Sequence, residues 1–110
     1  MLLGGANRRL SDLKLDVLAS VRLRSYPAGQ ALSDAGWIVS TGDHVPKDVN
    51  TVIVGKIPIF DLEQRAPHWI RELERVKGGG GKVILDYTDH HLGFDSPIKP
   101  FYRKAFEMAD

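Results

Sequence analysis

Four short runs of apolar residues, each flanked by polar or turn-forming residues, divide the chain into candidate strands. Leu13–Ser20 alternates apolar and polar residues and then becomes continuously apolar, which is typical of a strand that is first half buried and then fully buried. Thr51–Lys56 consists mainly of β-branched residues and is expected to lie inside a sheet. Trp37–Thr41 and Lys82–Tyr87 predict two further strands.

Between these strands the apolar residues take the spacing of helices. A first helix is predicted near Pro27, which suits a first helical turn, and it is expected to stop at Gly36. A second helix runs from Pro67 to the glycine run Gly78–Gly81, and its apolar face comprises Trp69, Ile70, Leu73 and Val76. A final helix is predicted over Pro97–Asp110, with the apolar residues Ile98, Phe101, Tyr102, Ala105, Phe106 and Met108.

Strands that alternate with helices indicate βαβ units. They predict an α/β domain with a mostly parallel, four-stranded sheet that is covered by helices on both faces. A chain of 110 residues can build one modest core, so residues 1–110 are expected to form a single domain. The final helix carries more apolar residues than a terminal helix on four strands readily buries. We therefore expect an incomplete sheet and self-association through that helix.

Charge and composition exclude several classes of partner. The 15 Lys and Arg residues nearly balance the 14 Asp and Glu residues, so the chain has no strong overall field that would attract nucleic acid. The absence of cysteine excludes disulfides and thiolate chemistry and fits the cytosol. The start, MLLGGANRRL, has neither the apolar length nor the charge order of a signal peptide, so a cytoplasmic protein is expected.

Polar side chains follow three predicted strands at their carboxyl ends, where open parallel sheets form their ligand crevices. Arg22 and Arg24 lie between the first strand and the first helix, where the helix amino terminus and two guanidinium groups could capture a phosphate or carboxylate. The alternative is a structural ion pair between one arginine and an aspartate at a neighbouring strand end, Asp86 or Asp89. Lys56 ends the third strand and is expected to line the same crevice.

The segment DYTDHH, residues 86–91, supplies the candidates for chemistry. Asp89 and His90 are placed to reach the crevice, where a histidine can orient or deprotonate a hydroxyl group, so both are candidate catalytic residues. Asp86 and His91 are expected to bind an acceptor or anion, although an aspartate at a strand end often caps backbone amides and a loop histidine is often satisfied locally. The side chains of adjacent residues point in different directions, which argues against a metal site built from this loop.

Two cofactor motifs do not fit their context. Gly78–Gly81 joins a helix to a strand, whereas a phosphate-binding loop joins a strand to a helix and has Ser or Thr after its lysine, where this chain has Val83. The first strand-to-helix turn, SVRLRSYPAG, lacks the glycine fingerprint of dinucleotide-binding domains. No cofactor is therefore expected.

Taken in order, these segments resemble the amino-terminal, acceptor-side half of a GT-B-type glycosyltransferase over nearly the whole chain. SVRLRSYPAGQALSDAGWIV, residues 20–39, is similar to the family's arginine-containing loop, its helix that ends in a small residue and glycine, and the strand that follows. KVILDYTDHHLG and PFYRKAFEMAD, residues 82–93 and 100–110, are similar to a strand that ends in Asp, a second Asp three residues later, and a helix that leads to Ala-Asp.

The resemblance implies a Rossmann-like, three-layer domain that holds an acceptor and faces a nucleotide-sugar-binding domain across a cleft. The sequence does not contain that second domain, so this chain alone is expected to be inactive. The implied reaction transfers a sugar from a nucleotide-sugar to a hydroxyl group of a sugar or glycan acceptor, without a bound metal.

Two alternatives remain open. VILDYTDHHLG also resembles the Asp-His-His motif of phosphoesterases that bind paired manganese ions. That family needs an Asp-x-Asp motif at the end of its first strand, where this chain has Arg22 and Arg24, which would repel the metal. The other alternative is a non-catalytic Rossmann-like module that binds a sugar nucleotide or a protein.

Overall fold

The computed structural model describes residues 2–3, 9–15, 21–42, 44–55, 59–87, 92–93 and 95–110. The described helices are α1, Tyr26–Asp34; α2, Ile59–Gly78; and α3, Lys99–Met108. The described strands are β1, Leu2–Leu3; β2, Thr41–Gly42; β3, Thr51–Val54; and β4, Lys82–Leu85. A 3-10 helix, Leu10–Leu15, and a π-helical turn, Val21–Ser25, precede α1. The fold is therefore of the α/β class, as predicted.

All the observed strand pairs are parallel. β3 and β4 pair over four residues each and form the regular part of the sheet. β1 and β2 contribute two residues each in the order β2-β1-β3-β4. Within the described residues, the expected four-stranded Rossmann-like sheet is thus reduced to two full strands with short parallel bridges beside them. β3 lies between β1 and β4, which confirms its predicted interior position.

The core lies on one face of β3 and β4, beneath α2 and α3. Val52, Val54 and Val83 of the sheet are fully buried there. α2 contributes Trp69, Leu73 and Val76, and α3 contributes Phe101, Tyr102 and Ala105 together with its N-cap residue Ile98. The opposite face, which carries Ile53 and Ile84, is only partly covered by described residues, and Ile84 remains 44% exposed. Helices were expected to cover both faces of the sheet, and among the described residues they fully cover only one face.

Both predicted glycine stops are confirmed and have the same geometry. At the end of α1, Gly36 has φ 92°, and the amide of Trp37 donates to a carbonyl five residues earlier at 3.0 Å. At the end of α2, Gly80 has φ 83°, and the amide of Gly81 donates to the carbonyl of Val76 at 2.9 Å. These hydrogen bonds are those of the Schellman motif, which needs a residue that tolerates positive φ.

The predicted strand Leu13–Ser20 is wrong in its first part, which belongs to the 3-10 helix Leu10–Leu15. The carboxylate of Asp12 accepts a hydrogen bond from the amide of Arg9 at 3.0 Å and so caps this helical turn. A local side-chain cap of this kind outweighs the alternating pattern of a short segment. Residues 16–20 lie outside the described part of the chain.

The predicted strand Trp37–Thr41 is also wrong over most of its length. The amide of Trp37 is used by the helix end, and Ile38 is fully exposed. Strand pairing begins only at Thr41. The high β-propensity of this segment is therefore not accompanied by a partner strand within the described residues.

α2 is longer than predicted, because it begins at Ile59 and contains Pro67 in its interior. A proline inside a helix lacks the amide that would bond to the preceding turn, which is why it predicts a helix start. The segment before it, Glu63–Arg65, consists of good helix formers that continue the helix across this defect. The predicted apolar face is confirmed, since Trp69, Leu73 and Val76 are buried.

The exposure expected for the apolar residues of α3 is wrong for four of the six, which are buried. Ile98, Phe101, Tyr102 and Ala105 are at most 3% exposed, whereas Phe106 is 60% exposed. Asp110 also hydrogen-bonds part of the backbone along the outer edge of β4. The amide of Asp110 donates to the carbonyl of Val83, and the side-chain carboxylate of Asp110 accepts from the amide of Val83, both at 2.8 Å. Self-association through α3 stays a proposal that depends on Phe106.

The loop between β2 and β3 is held against α2 by hydrogen bonds to Val45. The carbonyl of Val45 accepts from the guanidinium group of Arg75 at 2.7 Å, and the amide of Val45 donates to the carboxylate of Glu72. Glu72 and Arg75 also form an ion pair at 3.1 Å. Burial raises the pKa of Glu72, but its hydrogen bond and ion pair with Arg75 outweigh burial, so this pKa lies below its ordinary value.

Glu72→Gln is expected to weaken the fold at neutral pH and to reduce its sensitivity to acid. A carboxylate with a lowered pKa stabilises the folded state above its unfolded pKa of about 4.3, and that stabilisation is lost as the pH falls. The variant should be about 1 kcal/mol less stable than the parent at neutral pH and approach the parent near about pH 3. Urea unfolding at a series of pH values measures this difference, with exposed Glu74→Gln as the control. A difference that does not change with pH would contradict the role of Glu72.

Candidate functional site

A cleft of about 440 Å³ opens at the carboxyl ends of β3 and β4, beside the start of α1. Its apolar lining comes from Ala28, Ile53, Ile84 and Leu85. Its polar groups come from Arg24, Ser25 and Asp86, together with the backbone of Gly55. This is the position at which open parallel sheets bind their ligands.

Arg24 and Asp86 form a two-point ion pair at the rim of this cleft. The Nε group of Arg24 donates to Oδ2 of Asp86 at 3.0 Å, and Nη2 donates to Oδ1. Hydrogen bonding with Asp86, followed by the charge of that carboxylate, raises the pKa of Arg24 above its ordinary value. The amide of Asp86 donates to the carbonyl of Val54 at 2.8 Å, which fixes this residue at the strand end. The structure thus contains the ion pair that the sequence left as an alternative to anion capture.

The pairing changes what the cleft can bind. A carboxylate beside the guanidinium group makes the pair neutral overall, so a phosphate would meet repulsion from Asp86 as well as attraction to Arg24. The guanidinium group has five N–H donors and uses two of them on Asp86, and each carboxylate oxygen can accept more than the one hydrogen bond that Arg24 donates to it. Donors and acceptors side by side are suited to hydroxyl groups, which can donate and accept at once.

The backbone around Arg22 and Arg24 differs from the predicted loop. Val21–Ser25 is a π-helical turn that runs directly into α1, and Ser25 itself has helical φ and ψ angles of −66° and −44°. The expectation that both arginines stand before a helix amino terminus is therefore wrong, because they lie within a continuous helical segment. The π-helical turn brings Arg24 to the end of β4, where it meets Asp86.

The sequence predicted a site formed by Arg22, Arg24, Lys56, Asp86, Asp89, His90 and His91. The structure brings together Arg24 and Asp86. Lys56, Asp89, His90 and His91 lie outside the described residues, as does the side chain of Arg22, so their roles stay predictions. Among the described residues, no group of three or more His, Asp or Glu side chains is placed to hold a metal ion.

The sequence patterns did not identify Ser25, Ile53 or Gly55 as cleft residues, although alternation along β3 could have identified Ile53. Alternation along β3 places Val52 and Val54 on the core face and therefore Ile53 on the other face, where it lines the cleft. Ser25 makes no side-chain capping bond to α1. A Cβ atom at Gly55 would come within 3.4 Å of Ser25 Oγ, so the strand end and the helix start are in close contact.

A second cleft, of about 520 Å³, lies at the opposite end of the sheet. It is lined by the end of α1 and the start of β3, including Trp37, Ile38 and Thr51. Its lining also includes the polar residues Ser40, Asp48 and Asn50, while the ion pair of Arg24 and Asp86 lies at the other end of the sheet. The cleft beside β3 and β4 is the stronger candidate because it lies at the carboxyl ends of the strands and contains the pair of Arg24 and Asp86.

Comparison with protein-family models, with curated proteins and with solved structures found no match to this chain. No described helix is both long enough and apolar enough to cross a membrane. The functional proposal consequently depends on the residues and geometry of the cleft.

Proposed function

We propose that the chain is a sugar-binding domain whose cleft beside β3 and β4 takes a sugar or glycan acceptor, as the acceptor-side half of a GT-B-type glycosyltransferase does. The observation that supports this proposal is the pair of Arg24 and Asp86 at the rim of a mainly apolar cleft.

The chemistry of the cleft complements a sugar ring. Neighbouring hydroxyl groups can accept from the N–H groups of Arg24 that do not bond to Asp86 and can donate to the carboxylate of Asp86. The apolar C–H face of the ring can pack on Ile53 and Ile84, which present half-exposed side chains to the cleft. A volume of about 440 Å³ lies within the range of small-molecule sites and can hold a mono- or disaccharide.

Transfer of a sugar is the further part of this proposal. It requires the complete Rossmann-like domain, a nucleotide-sugar from a second domain, and Asp89 with His90 acting on the acceptor hydroxyl group. In that reaction, residues 1–110 would supply the acceptor-binding part. The phosphoesterase alternative gains no support from the described residues, because Asp86 is paired with an arginine.

Filling the cleft should abolish sugar binding. Ala28 is exposed on the first turn of α1 and lines the cleft, so Ala28→Trp places an indole where the ligand is expected. Ala31→Trp, at an exposed position further along α1, is the matched control. Titration with the methyl glycosides of glucose, galactose and mannose should shift the amide NMR signals of Ser25, Gly55 and Asp86 in the parent and control chains only. Equal binding by Ala28→Trp, or shifts confined to Trp37 and Ile38, would contradict the proposal.

Asp86→Asn separates a sugar site from an anion site. The substitution removes the charge that Asp86 sets against Arg24, so inorganic phosphate should bind more tightly. Glycosides should bind about tenfold more weakly because a charged hydrogen-bond acceptor is lost. Calorimetric titrations of both chains measure the two changes. A parent chain that binds phosphate more tightly than glycosides would favour the anion site that the sequence first predicted.

A further inference from the structure

β4 is the end strand of the sheet that the described residues form, and its outer edge carries backbone donors and acceptors. The amides of Lys82 and Asp86 donate to carbonyls on the side of β3, both at 2.8 Å. Because alternate residues of a strand bond to the same side, the backbone groups of Val83 and Leu85 point to the outer edge. These two residues are therefore the positions at which β4 can pair with a further strand.

Asp110 covers the Val83 part of this edge. Its amide donates to the carbonyl of Val83, and its side-chain carboxylate accepts from the amide of Val83, both at 2.8 Å. Lys77 holds the same carboxylate in an ion pair at 2.7 Å. No described residue hydrogen-bonds the backbone of Leu85 at this edge. Since unpaired strand edges attract further strands, the contact with Asp110 protects only part of β4.

A second copy of the chain fits this edge when its β4 runs antiparallel about Ile84. In that arrangement Val83 of one chain lies opposite Leu85 of the other, and the two residues exchange both of their outward backbone hydrogen bonds. A two-fold axis through Ile84 repeats this pair on the other side, so the contact is self-complementary. Ile84 is 44% exposed and meets its counterpart at the axis, where the contact buries apolar surface.

The charges along β4 favour the same register. Lys82 lies two residues before Ile84 and Asp86 lies two residues after it, so each lysine stands opposite the aspartate of the other chain. Directly opposite side chains in an antiparallel pair have Cβ atoms about 4.5–5.5 Å apart, and opposite charges at that separation stabilise the pair. Lys82 is exposed and Asp86 is partly exposed, so both can make this contact.

We propose that the outer edge of β4 is an interaction surface for a second copy of this chain, paired antiparallel about Ile84, and that Asp110 limits the pairing. When Asp110 leaves the edge, Val83 exchanges its two hydrogen bonds with Asp110 for two with Leu85 of the other chain. This surface is distinct from α3 and its exposed Phe106. No sugar takes part in the pairing, so the proposal is independent of the proposed function.

Asp110→Pro tests the protective contact, because proline has neither an amide hydrogen nor a carboxylate. Ala109 has φ −64° and ψ 141°, the extended backbone that a residue before proline prefers, so it accommodates the substitution. In sedimentation equilibrium, Asp110→Pro should dimerise at least about tenfold more tightly than the parent chain. Asp110→Asn keeps the amide and a side-chain acceptor for Val83, so it should associate as the parent does.

Charge reversal locates the interface. Added to Asp110→Pro, Lys82→Glu places a glutamate opposite Asp86 of the other chain and should return the association to that of the parent. Lys47→Glu makes the same change of charge at an exposed position in the loop between β2 and β3 and should leave the dimer intact. Phe106→Glu should also leave it intact, because α3 takes no part in the pairing.

Tighter dimerisation of Asp110→Pro that Lys82→Glu reverses supports the proposal. Equal association of Asp110→Pro and the parent, equal strengthening by Asp110→Asn, a dimer that survives Lys82→Glu, or one that Lys47→Glu or Phe106→Glu dissociates would overturn it. Circular dichroism reports whether each variant is folded. Asp110→Ala removes only the carboxylate, should strengthen the association to a smaller extent, and repeats the test if the proline variant is unfolded.

Discussion

Trp69→Ala is expected to lower the free energy of unfolding by about 3–5 kcal/mol, the usual cost of replacing a buried large aromatic residue by alanine. Trp69 is fully buried and packs edge-to-face on Phe101 with 6.1 Å between ring centroids. It joins α2 to α3 above the sheet, so its removal leaves a cavity at the centre of the core. Because domains of this size are stable by about 5–15 kcal/mol, the variant should be close to unfolding.

Trp37→Ala is the matched control, since it removes the same side chain from a site that is 57% exposed. It should change the free energy of unfolding by less than about 1 kcal/mol. Urea unfolding followed by circular dichroism measures both variants without relying on tryptophan fluorescence. A larger loss for Trp37→Ala than for Trp69→Ala would mean that the core is not centred on α2 and α3.

Gly81→Ala is expected to cost about 1–3 kcal/mol, because the added methyl group has no space. A Cβ atom there would lie 2.6 Å from Val76 Cγ1, 2.8 Å from the carbonyl oxygen of Asn50 and 2.9 Å from that of Val76. Neither carbonyl can move freely: the first accepts from Lys82 at 2.8 Å and the second accepts from Gly81 at 2.9 Å. Relief of the clash would therefore break either the start of the β3–β4 ladder or the end of α2.

Gly78→Ala provides the contrast within the same glycine run. No atom lies within 4 Å of a Cβ at Gly78, which is the last residue of α2, so alanine should be neutral or should stabilise the helix by up to about 1 kcal/mol. Thermal unfolding of the two variants beside the parent chain gives the order directly. If both substitutions have the same effect, the glycine run is only a flexible connection and the close packing at Gly81 is not present in solution.

The sequence predicted the elements in which the preference of the local residues matches the environment that the fold provides. β3 is rich in β-branched residues and lies between two strands, and Gly36 ends α1 because positive φ is needed there. The strand predicted at Leu13–Ser20 failed in its first part because Asp12 caps a helical turn, an interaction between near neighbours that an alternating pattern does not reveal. The predicted start of α2 was wrong because proline is common in the first turn of a helix, whereas Pro67 lies inside this one.

The sequence predicted where the candidate site lies better than it predicted how the side chains there interact. Chain order places the strand ends together, and the sequence named both partners of the pair formed by Arg24 and Asp86. It could not choose between anion capture and an ion pair, because that choice depends on the π-helical turn that directs Arg24 toward β4. The apolar contribution of Ile84 depends on which face of the sheet the helices cover, which is a property of the tertiary packing.

Contacts between a bound glycoside and the side chains of the cleft test the proposed function most directly. With methyl groups of isoleucine and valine labelled, nuclear Overhauser effects from the ligand should reach Ile53 and Ile84, which line the cleft. They should not reach Val52 and Val83, which are buried on the opposite face of the same strands. Effects to Ile38 at the other end of the sheet, or no effects to Ile53 and Ile84 at ligand saturation, would contradict a sugar site at the carboxyl ends of β3 and β4.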